Sequence, residues 1–203
     1  YVVAHYKKKV YGYDKREVAK YFPLEQTING LFKIYEQFLG VKFEQEVVAA
    51  NAAWDPSVRM LSVRTQDTNE VLGYIVLDLF PRAFKSGHAY CQTVLSPLKR
   101  PDGTRNPALA MVLANFSVPT VPGSPTLLSM YNVTTFFHEF GHALHHVLGR
   151  TELAATSGIH VEHDFVEMPS QLFELWLTDR QILRELSSYY TNDAGHRAGE
   201  ALP

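Results

Sequence analysis

The sequence predicts an α+β fold, helix-dominated at both ends, with a small antiparallel sheet beside a long helix that carries two close-set histidines. Three observations carry this prediction. Apolar residues recur at helical intervals between Asp14 and Gly40 and again from Asp164 to Leu186. Several β-rich runs lie between Val41 and Phe116, separated by turn-forming clusters. The run His138-Glu139-Phe140-Gly141-His142 sits inside a third helical stretch.

Taken in order, Val18, Tyr21 and Phe22 make one amphipathic stretch, and Ile28, Leu31, Phe32, Tyr35, Phe38 and Leu39 make the next, with Pro23 dividing them. Gly40 supplies a helix stop, and Val41-Lys42-Phe43-Glu44-Gln45 then alternates as a strand does. Val58 to Val63 and Val71 to Phe80 are two further strands, joined as a hairpin through Thr65-Gln66-Asp67-Thr68-Asn69. Gly87 to Val94 and Ala108 to Phe116 complete the sheet on either side of the Pro101-Asp102-Gly103 turn. The segment from Pro119 to Pro125 breaks the β pattern. Ser129 is the N-cap of the following helix, Phe136, Phe137, Ala143, Leu144, Val147 and Leu148 form its apolar face, and Gly149 stops it. A loop containing Ser157-Gly158 leads to the last helical run. There is no internal repeat and no low-complexity tract.

The chain has 203 residues, 46% of them hydrophobic, which suffices for a packed core in one large domain or two small ones. A net charge of −2 with a short Lys7-Lys8-Lys9 run leaves no basic surplus for a phosphate backbone, so nucleic acid is not an expected partner. Cys91 is the single cysteine, so an internal disulfide is excluded, in keeping with a reducing compartment. No apolar stretch is long enough to span a membrane, and the start lacks the charged region and cleavage site of a signal peptide. With no initiator Met and an end at Ala201-Leu202-Pro203, the chain reads as part of something longer. The expected compartment is cytoplasmic, with mitochondria left open.

Four residues advance a helix by just over one turn, so His138 and His142 point the same way and both can reach one ion. Glu139 sits about 100° round, beside the open coordination position. This H-E-x-x-H spacing is that of zinc peptidases. A mid-helix site among apolar residues is also a costly place for two imidazoles and a carboxylate unless a cation compensates them. Zinc needs a third protein ligand, and Glu167, near the start of the next helix with Gln171 and Glu174 on its face, is the best candidate. Spacing alone leaves Glu167 between ligand and capping acid. His145 is about 10 Å from His138 along the helix axis, too far to share the ion. His160, His163 and Asp164 in the connecting segment are competitors, and His88 is a candidate substrate contact.

At the level of longer motifs the chain resembles the thimet oligopeptidase family of zinc metallopeptidases. The resemblance is carried by His138-Glu139-Phe140-Gly141-His142-Ala143-Leu144-His145, by Ser157-Gly158, and by Asp164-Phe165-Val166-Glu167 with Pro169-Ser170-Gln171. Tyr21-Phe22-Pro23, Leu77-Asp78-Leu79-Phe80-Pro81-Arg82, Gly87-His88-Ala89 and Ala114-Asn115-Phe116 extend it over most of the chain. The resemblance implies a zincin-like core, one Zn2+ held by His138, His142 and Glu167, and Glu139 as general base. It implies an oligopeptidase hydrolysing short peptides, within a two-lobed helical shell much longer than this chain. Residues 1–125 would then be helices plus the small sheet, and 126–203 the zinc-binding helices. The family's N-terminal helical portion and its C-terminal Gly- and Tyr-rich loop have no counterpart here. The position four before the first histidine, often acidic in relatives, is Thr134.

Two readings from other classes compete: a catalytically silent zinc-binding fragment, and a peptide-binding domain whose histidines merely pack. The Gly87-His88-Ala89-Tyr90 segment is expected to be a sheet edge onto which an extended peptide pairs. Apolar surface left open by absent lobes would favour self-association.

Overall fold

Periodicity misses the first helix. In the computed structural model, which describes residues 2–49, 51–119, 121–191 and 198–203, α1 spans Val2–Tyr11 with Val2, Val3, Tyr6, Val10 and Tyr11 all exposed. A helix with no buried face leaves no amphipathic signature to read. Pro23 then divides α2 (Lys15–Ala19, capped by Asp14) from α3 (Leu24–Leu39), as expected. Gly40 ends α3 in the left-handed conformation, φ 64°, with its N–H on the Glu36 carbonyl.

Five strands follow: β1 (Val41–Glu46), β2 (Arg59–Thr65), β3 (Val71–Asp78), β4 (Tyr90–Leu95) and β5 (Ala108–Leu113). The β2–β3 hairpin turns where the Thr65–Asn69 cluster predicts, with Asn69 at φ 57°. The sheet order is β1-β2-β3-β5-β4, and it is mixed rather than antiparallel, because β3 and β5 run parallel. The physical reason lies in the connection. The chain leaves β3, crosses to the outer edge for β4, and returns through the Pro101–Gly103 turn, so β5 enters the gap beside β3 in the same direction. Gly87, His88 and Ala89 form a bend ahead of β4 and not its first residues.

The helices that bear the site are α4 (Met130–Leu148) and α5 (His163–Trp176). The run predicted as one helix from Asp164 to Leu186 is two, because Asp179 accepts from the Gln181 and Ile182 amides and starts a separate α6 (Arg180–Leu186). Helix α4 packs against β3, β4 and β5 and against α5. Phe140, fully buried, meets the rings of Phe32, Tyr35, Phe43 and Phe136 at centroid distances of 5.5–5.9 Å. This aromatic cluster ties α3 and β1 to the middle of α4. Among the described residues, no helix is long and apolar enough to cross a membrane.

Candidate metal centre

Ser129 caps α4 by accepting from the Asn132 amide, which starts the helix in phase to put His138 and His142 on one face. Their rings meet edge to face at 4.7 Å, with the two Nε2 atoms 3.1 Å apart. Glu167, on the second turn of α5, brings Oε2 to 3.2 Å from His138 Nε2 and 3.3 Å from His142 Nε2. Gly141 permits this approach. A methyl group there would lie 2.9 Å from Phe173 Cδ2 and 3.0 Å from Ser170 Cα, so only glycine lets α5 come so close. Ser170, fully buried, donates its hydroxyl to the Glu167 carbonyl and to Glu167 Oε2 at 2.9 and 3.0 Å, which holds the carboxylate in place.

The three atoms form a nearly equilateral triangle with sides of 3.1, 3.2 and 3.3 Å. Tetrahedral zinc with bonds of about 2.0–2.1 Å separates its donors by about 3.3–3.4 Å, so the triangle has the right size. The protonation pattern agrees. His138 Nδ1 lies 2.6 Å from Glu174 Oε1, and a carboxylate only accepts, so Nδ1 carries the hydrogen and Nε2 offers its lone pair inward. Burial pushes the His142 pKa down, favouring its neutral, ligating form. Its own Nδ1 is buried without a partner among the described residues. One proton can bridge two of the three converging atoms but not all three, whereas a cation serves them together. Among the described residues His138, His142 and Glu167 are the group able to gather round one ion.

Glu139 lies outside that group and stays free for chemistry. Burial is the main influence on its carboxyl and raises its pKa. Glu139 opens onto a cleft of about 510 Å³ shared with His88, Asn115, Thr134, His138 and Glu174.

The sequence model for peptidase family M3 matches residues 1–198. The chain belongs to peptidase family M3. It is 42% identical to the thimet-like oligopeptidase of Dictyostelium discoideum over 182 residues, covering 89% of this chain and 27% of that protein. It is 34% identical to oligopeptidase A of Escherichia coli over 206 residues, covering 99% and 29%. With the mitochondrial intermediate peptidase of Vanderwaltozyma polyspora the identity is 33% over 201 residues, covering 90% and 25%. The chain thus spans less than a third of the length of these relatives.

The other candidates of the M3 chain do not join the centre. The His145 ring faces Phe165 at 6.2 Å, and His160 Nδ1 donates to the Ala154 carbonyl at 3.1 Å. His146 is fully buried and donates through Nε2 to the Leu95 carbonyl at 2.9 Å, tying α4 to the end of β4. His163 and Asp164 occupy the first turn of α5. His88 does line the cleft, held by Ser86. Burial and the Glu139 charge push the Cys91 thiol up to about 12, so it stays protonated.

The Ser157-Gly158 pair is architectural. Gly158, at φ 61°, packs on Gly149, where a methyl group would lie 2.5 Å from Gly158 Cα, and the Ser157 hydroxyl donates to the Gly149 carbonyl. Gly149 itself has φ −74°, so it ends α4 by allowing this contact and not by turning left-handed. Glu174 and Ser170 are the site residues that sequence reasoning left without a role. The available signal was the seven-residue spacing of Glu167 and Glu174, two helical turns on one face.

Proposed function

We propose that the M3 chain is the metal-bearing part of a zinc-dependent oligopeptidase with a zincin-like core, and that it hydrolyses peptide bonds in short peptides. The observation that carries the reading is the triangle of His138 Nε2, His142 Nε2 and Glu167 Oε2, sized for zinc beside a free carboxylate. Zinc, when bound, supplies a Lewis acid that polarises a carbonyl and lowers the pKa of a coordinated water to about 7.

The chain's own groups do the rest. Glu139 takes a proton at its carboxylate from water in the cleft and passes it to the departing amine, first as base and then as acid. Its raised pKa suits that exchange, since a carboxylate closer to neutral takes the proton more readily and can still give it up to the departing amine. Among the described residues β4 pairs with β5 alone, and the Gly87–Ala89 bend before it lines the cleft. This supports an extended peptide lying along that edge, with main-chain pairing supplying affinity independent of sequence.

The test is hydrolysis of an internally quenched fluorescent peptide by the zinc-loaded chain and by Glu139→Gln. We expect the variant to keep its zinc and lose about 10²–10⁴-fold in turnover. Equal turnover from both would remove Glu139 from the mechanism. Zinc bound without turnover in either would make the chain a silent zinc-binding module, and no zinc would leave a metal-free peptide binder.

A further inference from the structure

We infer that Glu174 is the positioning residue of the zinc site, holding the His138 imidazole in the tautomer and orientation that turn Nε2 onto the ion. The inference rests on the zinc reading above. His138 is clasped at both nitrogens by one helix: Glu167 Oε2 lies 3.2 Å from Nε2, and Glu174 Oε1 lies 2.6 Å from Nδ1. Seven residues advance a helix by about 700°, within about 20° of two full turns, so α5 offers both acids from one face. The 2.6 Å contact is short, just under the about 2.7–2.9 Å of N–H···O bonds to a charged partner.

Rigid packing holds Glu174 there. Its neighbour Phe173 and nearby Trp176 pack on Tyr35 at ring distances of 4.9 and 5.4 Å. No equivalent acid serves the second ligand, since His142 Nδ1 has no partner among the described residues. Thr134 does not substitute for Glu174, because its hydroxyl is committed to the Met130 carbonyl at 3.0 Å. The pair is more than a surface ion pair because its imidazole has a second commitment. Fixing Nδ1–H sets which nitrogen is free to ligate and strengthens it as a donor.

The experiment measures zinc affinity of the full chain by competition with a chromogenic chelator, the visible spectrum of the cobalt-substituted protein, and thermal unfolding of the metal-free protein. Glu174→Ala should weaken zinc binding by about 10–100-fold and alter the cobalt bands, with metal-free unfolding unmoved. Glu174→Gln should lose less than Glu174→Ala, because its amide oxygen still accepts from Nδ1. If Glu174→Ala does not fold, Glu174→Gln is compared with wild type by the same measures. Wild-type zinc affinity and cobalt spectrum in the variants would overturn the role of Glu174 while leaving the zinc site standing. A wild-type chain that binds no zinc, or a His142→Ala variant that binds it as tightly, would instead overturn the zinc reading and this inference with it.

Discussion

Gly141 shows how a single missing side chain sets the spacing of a candidate metal site whose three side chains lie elsewhere. It stands between His138 and His142 in the middle of α4, where glycine lowers helix stability by about 1 kcal/mol relative to alanine. The compensation is the approach of α5, whose Ser170 Cα lies 3.0 Å from where a methyl group would be. Gly141→Ala should therefore push α5 outward, cost about 1–3 kcal/mol despite the better helix propensity, and weaken zinc binding as Glu167 retreats. Calorimetry and a zinc titration check it; a variant more stable than wild type with full zinc affinity would show that the contact does not set the helix spacing. Nothing in the five letters of the motif discloses this, because the atom that forbids a side chain belongs to a helix more than twenty residues onward.

Between elements, the link from the sheet to the cleft runs through Asp78. Fully buried at the end of β3, it accepts from Trp54 at 3.0 Å, from Arg82 at 2.6 and 2.7 Å, and from Lys85 at 2.8 Å. Lys85 also donates to the Phe80 and Ala114 carbonyls at 2.8 and 2.6 Å. The ends of the parallel β3–β5 pair and the loop leading to Gly87 are thereby fastened together. Burial alone would raise the Asp78 pKa, but these bonds override it and hold the carboxyl at about 2, against 3.8 unperturbed. The sign follows from the depression: the stabilisation, roughly 2 kcal/mol, is complete above 3.8 and is lost as pH falls toward 2. Urea unfolding between pH 5 and pH 2 should show that decline, and Asp78→Asn should lack this component. At neutral pH Asp78→Asn should cost about 3–5 kcal/mol, because Lys85 is left buried and short of its partner. A variant as stable as wild type at pH 7 would refute this account of the junction.

For the molecule as a whole, the zinc reading makes metal binding a component of stability, since the ligands come from two helices that meet only when folded. Zinc at 100 times its dissociation constant should stabilise the chain by about 2.7 kcal/mol. For a domain of this size that raises the unfolding midpoint by roughly 5–11 °C. A chelator should reverse the shift, and His142→Ala should abolish it; an equal shift in that variant would place the ion elsewhere. The overall sheet order was hidden from sequence reasoning for a related reason. Local patterning locates strands and turns, but it does not say that β5 enters between β3 and β4, because the pairing is decided by contacts distant along the chain.

What could be read from the sequence alone was whatever depends on neighbours a few residues away. That includes the helical phase that aligns His138 with His142, the Ser129 cap, the stops at Pro23 and Gly40, and a short acid-bearing segment offering Glu167. Glu167 was legible in the sequence as a candidate and through the family resemblance, but its place at the third corner of the triangle, the hold of Glu174 on the far nitrogen of His138 and the mixed sheet were decided by the tertiary structure. The reason is that a helix fixes the directions of its side chains by its own hydrogen bonds, whereas the distance between two helices is set by what packs between them. Here that spacer is the bare α-carbon of Gly141 against Ser170.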